Sequence, residues 1–435
     1  MKTAKTLKFL YQWIGPHGPI TNTRVPNLVD FAVAGKLAGV NTPVNSEFGD
    51  LNRQPYFYEK FKEEDVVIAS TCTTPTGKAL YEINFCNYHY RDWRKLFSTS
   101  DGIMQEQLFY IRGFEEANIY ALVTVLYEGW VHDKFFDELH KFFEHLKFPL
   151  ERVVYVNNCY NGEEIYKNYC ERRSITPSIN VEYFPSFRFD KTNLEHVSEK
   201  YKNIEYVPGP RKKDFLCFQR RWSDHRVAFY LDMHRKGLLD KFYMSMDATQ
   251  PESGASYESN AVYLGQRYPQ FNYTTEEIKD AQASLPLILD THNFSSYPME
   301  SNEFDTEQYF KDSLINIISE TFFFNKEIHI TEKTFKPIAF MQPFIMMGAV
   351  GSLQHVKDMG FKTFSEFWDE SYDTIRNDAK RYDKIVKLVE EIAAWSEEKK
   401  LEFSYNVKDI VEFNSKHFAT MEHVELENFK NKYGN

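Results

Sequence analysis

Short apolar runs rich in β-forming residues alternate with helical patterns along the chain, and no other feature constrains the fold as strongly. Between Val131 and Leu146 the apolar residues recur at the spacing of one buried helix face. This alternation predicts an α/β protein in which helices cover parallel strands. The predicted strands are Leu7–Ile14, Val66–Ser70, Ile119–Leu126, Val153–Val156, Phe215–Phe218, Phe242–Met246, Leu287–Leu289, Leu314–Ser319 and Phe344–Met347. The other predicted helices are Glu163–Arg173, His225–Lys236, Lys333–Phe340 and Asp378–Lys400.

A turn-rich, charged stretch, Val207-Pro-Gly-Pro-Arg-Lys-Lys213, interrupts the alternation, which restarts after it. Because Pro and Gly break regular structure, we place a domain boundary here. The sequence therefore predicts two Rossmann-like lobes, residues 1–205 and 206–400, followed by a helical segment at 401–435. The polar stretch Ala248–Tyr273 is predicted to be a loop or an insertion. Open parallel sheets bind ligands at the carboxyl ends of their strands, so a cleft between the lobes is the expected site.

The charge balance and the cysteine content limit the class of protein. The chain has 63 acidic and 52 basic residues and a net charge of −11, which argues against a protein coated by nucleic acid or anionic lipid. Five scattered cysteines do not suit a disulfide framework or a CxxC metal site, so we expect reduced thiols. No signal peptide is recognisable, and the longest uncharged run, Pro337–Val356, is too interrupted to span a bilayer. We expect a soluble, cytoplasmic protein with no membrane partner.

Several nucleotide and metal motifs are absent from the sequence. It contains no GxxxxGK[ST], GxGxxG, HExxH or GxSxG pattern. It also lacks an Asp-x-Asp pair, which would hold a divalent cation against a nucleotide diphosphate. We therefore predict a site that uses neither a metal ion nor a resident cofactor.

One strand pattern, Leu314–Ser319, ends in Glu320, and a helix pattern begins after it with Thr331 as the candidate N-cap. Free backbone N–H groups and the helix dipole favour an anion such as a diphosphate at a helix N-terminus. Glu332 is placed to accept two ribose hydroxyl groups, and Lys333 is placed to neutralise a phosphate. The alternative is an ordinary capped helix in which Glu332 only complements the dipole.

Arginines follow the strand pattern Phe215–Phe218, at Arg220 and Arg221, with Arg226 in the helix pattern behind them. At the carboxyl end of a strand, guanidinium groups lie where α/β proteins bind ligands. The alternative is a solvated basic turn in which Asp224 pairs with one of the first two arginines.

These segments resemble the donor-binding half of GT-B glycosyltransferases. Four short pieces of the sequence are similar to the TEK segment of fucosyltransferase-like and exostosin-like enzymes. They are Ser319-Glu320-Thr321, Thr331-Glu332-Lys333, Pro343-Phe344-Ile345 and Gly348. Further segments are similar to glycosyltransferases of tailed bacteriophages: Thr331–Pro337, Gly360–Phe364, Trp368–Asp373, and Gln219-Arg220-Arg221 with His225-Arg226. In the last of these, Gln219 replaces the usual Asn. The resemblance spans about residues 210–390.

The resemblance implies a GT-B fold with the acceptor in the N-terminal lobe and the donor in the C-terminal lobe. In such enzymes the residue that matches Glu332 binds the ribose and the one that matches Lys333 binds the diphosphate. The donor site implied for this chain consists of Arg220, Arg221, Arg226, Glu320, Thr331, Glu332 and Lys333. The implied reaction is the metal-independent transfer of a sugar from a nucleoside-diphosphate sugar to a hydroxyl group. The nucleoside-diphosphate sugar is then a co-substrate, and no cofactor is implied.

The phage-type resemblance implies a hydroxylated pyrimidine in phage DNA as the favoured acceptor, with glucose or arabinose as the sugar. Double-stranded DNA would then be a partner and the host cytoplasm the location. A local basic strip for DNA is available in Arg211–Lys213 together with Lys2, Lys5 and Lys8. The alternatives are transfer to a cell-surface glycan or a small metabolite, and a nucleotide- or glycan-binding module without catalysis.

In GT-B-like folds the segment after the first strand faces the acceptor, and here it is Gly15-Pro16-His17-Gly18-Pro19. The pKa of a histidine suits general-base work, so His17 is a catalytic candidate. Asp50, Glu47 and Asp101 are alternative bases, and the sequence does not rank them. A Pro/Gly turn that carries an exposed histidine is the competing interpretation of the segment.

Overall fold

The structure, a computed structural model, folds into two compact units. Unit 1 comprises Met1–Ser186 and Glu422–Asn435, and unit 2 comprises Phe187–Met421. These bounds differ from the predicted lobe bounds at residues 205 and 400. The structure describes residues 5, 7–11, 14–15, 18–19, 66–70, 78–84, 118–125, 129, 131–145, 147–189, 205–247, 257–269, 271–287, 289, 306–421 and 424–435.

The described strands and helices are numbered here in chain order. The strands are β1 (Leu7–Tyr11), β2 (Ile14–Gly15), β3 (Gly18–Pro19), β4 (Val66–Ser70), β5 (Lys78–Asn84), β6 (Asn118–Val125), β7 (Val153–Asn157), β8 (Asn180–Tyr183), β9 (Lys213–Phe218), β10 (Phe242–Ser245), β11 (Ser313–Ser319) and β12 (Phe344–Met347). The helices are α1 (Asp133–His145), α2 (Gly162–Arg173), α3 (Asp224–Arg235), α4 (Tyr257–Arg267), α5 (Thr275–Ala283), α6 (Glu307–Asp312), α7 (Glu332–Ala339), α8 (Ser352–Asp358), α9 (Asp378–Ala393), α10 (Glu397–Asn406), α11 (Lys408–Thr420) and α12 (Val424–Tyr433).

Unit 1 is built on a six-stranded parallel sheet in the order β4-β1-β5-β6-β7-β8. All residues of β7 are buried, as expected for a parallel strand that is covered on both faces. On one face Phe135 and Phe136 of α1 pack against Tyr155 of β7, with ring centroids 4.9 and 6.2 Å apart. The helix predicted between residues 131 and 146 is therefore confirmed, and its apolar face points into the core.

The C-terminal helix α12 belongs to unit 1. Tyr433 is 2% exposed, its ring packs edge-on against Tyr120 of β6, and its hydroxyl donates to Glu182 of β8 at 2.6 Å. Asn435 continues the contact, because its side chain exchanges two hydrogen bonds with the backbone of Lys78 in β5. The end of the described chain is thus tied to three strands of the first sheet.

Unit 2 is built on a four-stranded parallel sheet in the order β10-β9-β11-β12. Every residue of β11 and β12 is buried. Helix α10 is joined to the start of β9 by an ion pair between Lys400 and Asp214, 2.8 Å long. Helix α11 packs against α7, where the rings of Phe418 and Phe335 stack with centroids 5.4 Å apart.

Three sequence predictions are wrong in detail. The predicted loop or insertion Ala248–Tyr273 contains helix α4, whose Ala261 and Leu264 are buried despite the polar composition around them. The predicted strand Leu287–Leu289 is only an isolated bridge from Leu287 to Met246. The predicted helix Asp378–Lys400 is two helices, α9 and α10, because Ser396 caps a new N-terminus by accepting from the backbone of Lys399.

The fold class predicted from the sequence is confirmed. The protein is α/β, with two Rossmann-like parallel sheets and helices α10 to α12 at the C-terminal end. Among the described residues, no helix is both long enough and apolar enough to span a lipid bilayer.

The contacts of α12 predict that it stabilises unit 1. Tyr433→Ala removes a buried aromatic side chain and its hydrogen bond, so unit 1 should lose about 3 kcal/mol of unfolding free energy. Tyr405→Ala is the matched control, because Tyr405 of α10 is 60% exposed. Urea unfolding followed by hydrogen exchange reports each unit separately. Equal protection of β6 and β8 in both variants would contradict the expectation.

Candidate functional site

The sheet of unit 2 has a topological switch point between β9 and β11. The chain leaves β9 for β10 on one side of it and then returns to β11 on the other side. Parallel α/β sheets bind ligands outside the carboxyl ends of the two strands at such a point. The segments that follow the two strands are 219–222 and 320–324, and they contain Arg220, Arg221 and Glu320 of the predicted donor site.

The carboxylate of Glu320 is fully buried and accepts three hydrogen bonds. Oε1 accepts from the backbone N–H of Thr331 at 3.0 Å and from Oγ1 of Thr334 at 2.6 Å. Oε2 accepts from Oγ1 of Thr331 at 2.6 Å. These bonds tie the end of β11 to the first turn of α7, so Glu320 orients this helix N-terminus and does not face solvent.

Arg226, on α3, holds the main chain at the ends of both strands. Its Nη2 donates to the carbonyl oxygens of Ser319 and Glu320, at 2.8 and 3.2 Å. Its Nη1 donates to the carbonyl oxygen of Arg221 at 3.1 Å, and Nε donates to Oγ of Ser319 at 3.3 Å. The guanidinium is buried and donates to these backbone and side-chain oxygens, so it holds the loops after β9 and β11 in place.

His225 supports the same strand end in its neutral form. Its Nε2 lies 2.9 Å from the carbonyl oxygen of Glu320 and therefore carries the proton, while Nδ1 lies 3.2 Å from Oγ of Ser223. Burial, and the charge of Arg226 beside it, lower the pKa of His225 well below its usual value. The ring also stacks on Phe323, which follows β11.

Thr331 caps α7, as the sequence predicts, and Glu332 and Lys333 lie in the first turn. Oγ1 of Thr331 accepts from the backbone N–H of Lys333. Nζ of Lys333 donates to Oε1 of Glu332 at 2.7 Å, and the two side chains are 25% and 31% exposed. Burial raises the pKa of Glu332, but the charges of Lys333 and Lys336 and the hydrogen bond from Lys333 lower it to about 2. Glu332 is thus a solvent-accessible carboxylate that stays ionised at neutral pH.

Arg220 and Arg221 lie across the switch point from α7. Nε of Arg220 donates to Oδ1 of Asp247 at 3.4 Å, and its side chain is 25% exposed. Arg221 is exposed, while its carbonyl oxygen is held by Arg226. Asp224 pairs with Arg267 at 3.3 Å.

A second helix N-terminus, that of α8, follows β12 at the same edge of the sheet. The chain enters it through Gly351, whose φ of +85° is in the left-handed region that glycine tolerates best. The backbone N–H groups of Leu353 and Gln354 donate to the two carboxylate oxygens of Asp373, each at 2.9 Å. Asp373 therefore takes the position of an anion at α8, and we place the candidate anion site at α7 instead.

Other predicted residues do not join this cluster. Lys213 begins β9 and Lys212 precedes it, at the opposite edge of the sheet. There Lys212 pairs with Asp312, and Lys213 donates to the carbonyl oxygen of Asp240. The base candidates His17, Glu47, Asp50 and Asp101 lie outside the described residues. The hairpin of β2 and β3, which pairs Gly15 with Gly18 on either side of Pro16-His17, follows β1 at the switch point of the first sheet.

Neither Asp247 nor Asp373, the acidic partners at this edge, was predicted from the sequence to belong to the site, although Asp373 ends the segment Trp368–Asp373 of the phage-type resemblance. Each contacts residues that are distant in the chain, so no local spacing marks it. In the described part of the chain, no three His, Cys, Asp or Glu side chains are grouped as a metal site requires.

No protein-family model and no curated protein sequence matches this chain. A UDP-forming α,α-trehalose-phosphate synthase from Burkholderia xenovorans is similar over 79% of this chain and 80% of its own, with 9% identity and a TM-score of 0.41. The DNA-modifying enzyme β-glucosyltransferase, studied with and without uridine diphosphoglucose, is similar over 81% and 98%, with 14% identity and a TM-score of 0.34. T4 phage BGT in complex with UDP and Mn²⁺ is similar over 98% and 99%, with 12% identity and a TM-score of 0.37. Because these scores and identities are low, we base no functional argument on them.

The hydrogen bonds of Glu320 predict a stability effect. Glu320→Gln replaces one accepting oxygen by an NH₂ group inside a buried cluster, so the unfolding free energy of unit 2 should fall by about 2–3 kcal/mol. Glu366→Gln, at an exposed position, is the control and should change it by less than about 0.5 kcal/mol. Urea unfolding monitored by hydrogen exchange in β11 measures both variants. Equal stability would mean that the buried carboxylate does not hold α7.

Proposed function

We propose that the chain is a glycosyltransferase that moves a sugar from a nucleoside-diphosphate sugar to a hydroxyl acceptor. The observation that carries the proposal is the convergence of basic groups and one accessible carboxylate at the switch point of unit 2. Arg220 and Arg221 follow β9, whereas Glu332 and Lys333 begin α7. Two cationic side chains opposite a helix N-terminus suit a diphosphate, and an ionised carboxylate beside them suits the vicinal hydroxyls of a ribose.

The basic groups would stabilise the leaving group. When the sugar–phosphate bond breaks, negative charge develops on the diphosphate oxygens, and fixed cations stabilise it more in the transition state than in the bound substrate. Arg221 is exposed and Arg220 and Lys333 are partly exposed, so each has an accessible surface. We propose that these three side chains supply this charge and that no metal ion is required.

Two of the residues predicted to bind the donor would act indirectly. Glu320 is buried behind Thr331, and Arg226 is buried against the backbone of both loops. We propose that they hold Thr331 and Arg221 in place, while Glu332 contacts the ribose and Lys333 the diphosphate. Thr331 contributes the N-cap of the helix.

For the acceptor side we propose unit 1, with His17, Asp50 or Asp101 as the general base. The favoured acceptor is a hydroxylated pyrimidine in phage DNA that receives glucose or arabinose, and this choice is supported by the phage-type sequence resemblance. Lys212 and Lys213 have protein partners at the opposite sheet edge, so they do not add support for DNA. A cell-surface glycan or a small metabolite is the alternative acceptor.

An assay with nucleotide-sugars tests the activity and the metal independence together. UDP-, GDP- and TDP-sugars are each incubated with hydroxymethylated double-stranded DNA, with glycans or with water, and release of the nucleoside diphosphate is measured. Turnover of at least one donor is expected, and EDTA should leave it unchanged. Arg221→Ala should lower kcat/KM about 10–100-fold, a loss typical of a charge-assisted contact. Binding without turnover would favour a non-catalytic module, and activity that EDTA abolishes and Mn²⁺ restores would contradict a metal-free site.

The position of Glu332 predicts that its substitution affects two ligands differently. In Glu332→Gln, nucleoside-diphosphate affinity should fall more than about tenfold, because two hydrogen bonds to an ionised carboxylate are weakened. Inorganic pyrophosphate lacks a ribose, so its affinity should not fall. Calorimetric titration of wild type and variant with both ligands measures this. If nucleoside-diphosphate affinity is unchanged, Glu332 only complements the helix dipole, which contributes a few tenths of a kcal/mol.

A further inference from the structure

Asp247 joins the loop after β10 to the loop after β9 through its main chain. Its backbone N–H donates to the carbonyl oxygen of Arg220 at 3.2 Å. Its carbonyl oxygen accepts from Nε1 of the buried Trp222 at 2.7 Å. The residue before it, Met246, exchanges two backbone hydrogen bonds with Leu287. The backbone of Asp247 is therefore held from both sides, and its side chain starts from a fixed point.

From this fixed point the carboxylate reaches the guanidinium of Arg220. Oδ1 accepts from Nε at 3.4 Å, and the side chains of Asp247 and Arg220 are 14% and 25% exposed. A partly buried pair is screened less by water and salt than a surface pair, so the contact restrains the arginine. The contact is made on the Nε edge of the guanidinium, at the end nearest the stem of the side chain.

We propose that Asp247 is the positioning residue for Arg220, and that it orients this guanidinium for the diphosphate of the donor. This inference rests on the proposed function, because it assumes that a diphosphate binds at the switch point of unit 2. An arginine has many rotamers, and ordering it when the ligand arrives reduces affinity. A carboxylate that restrains the arginine beforehand removes that loss, and the planar guanidinium then meets phosphate oxygens in a set direction.

A competing role predicts the opposite sign. If Asp247 acted only as a counter-ion of Arg220, the diphosphate would have to displace it, and removing the carboxylate would strengthen binding. If Asp247 acted only as a structural link, its removal would lower stability and would affect ligand binding whether or not Arg220 is present. The three roles are therefore separable by a mutant cycle.

The experiment compares five proteins: wild type, Asp247→Ala, Asp247→Asn, Arg220→Ala and the Arg220→Ala/Asp247→Ala double variant. Asp383→Ala, at an exposed position of α9, is the matched control. The probes are UDP, GDP, ADP, CDP, TDP and inorganic pyrophosphate, titrated by calorimetry, and thermal unfolding is measured for each protein. Asn keeps an oxygen acceptor at the same position and leaves the main-chain contacts in place, so this variant remains informative if the Ala variant is unstable.

We expect Asp247→Ala to lower the affinity for the tightest-binding nucleoside diphosphate and for pyrophosphate about tenfold. Asp247→Asn should keep both affinities within about threefold of wild type. In the Arg220→Ala background, Asp247→Ala should change affinity less than about twofold. Tighter binding by Asp247→Ala, unchanged binding, or an equal loss in the Arg220→Ala background would each overturn the proposal while leaving the proposed function intact. If wild type binds none of the probes, the proposed function fails and this inference fails with it.

Discussion

The candidate site depends on the hydrogen bonds that the buried carboxylate of Glu320 accepts. A buried polar group is costly unless hydrogen bonds compensate it, and here Thr331, the N-cap of α7, supplies two donors and Thr334 supplies a third to the carboxylate of Glu320. The same residue offers its carbonyl oxygen to His225 and Arg226 of α3. Glu320 thus links β11, α7 and α3, and through Arg226 it also fixes the loop after β9. The positions of Arg221, Thr331 and Lys333 follow from this single network.

The network places cations at one edge of an acidic protein. The chain carries a net charge of −11, yet Arg220, Arg221, Lys333 and Lys336 lie near the carboxyl ends of β9 and β11. Local charge, and not the net charge of the chain, determines which ligand a cleft attracts. Two of these cations are paired with acidic neighbours, Arg220 with Asp247 and Lys333 with Glu332. These pairs fix the geometry of the edge and leave Glu332 accessible to a hydroxylated ligand.

Local sequence patterns predicted much of this arrangement. The strand before Glu320 and the N-cap at Thr331 could be predicted from the sequence, because apolar periodicity and capping residues are local signals. The role of Glu320 was not, since its hydrogen bonds depend on how α7 returns to the sheet. The role of Asp247 could not be predicted either, because its contacts with Arg220 and Trp222 join residues that are distant in the chain. The helix break at Ser396 was missed because the residues after it, Glu397–Lys400, are good helix formers and no Gly or Pro marks the break. Helix α4 was missed because the stretch around it is rich in Ser, Gly, Asn and Gln, which are typical of loops.

A crystal structure with the tightest-binding nucleoside diphosphate tests the central claim most directly. The account predicts the diphosphate within hydrogen-bonding distance of Arg220, Arg221 or Lys333, outside the carboxyl ends of β9 and β11, with both ribose hydroxyls on Glu332. A nucleotide bound at the amino edge of the sheet, near Lys212 and Lys213, or a ribose turned away from Glu332, would contradict it.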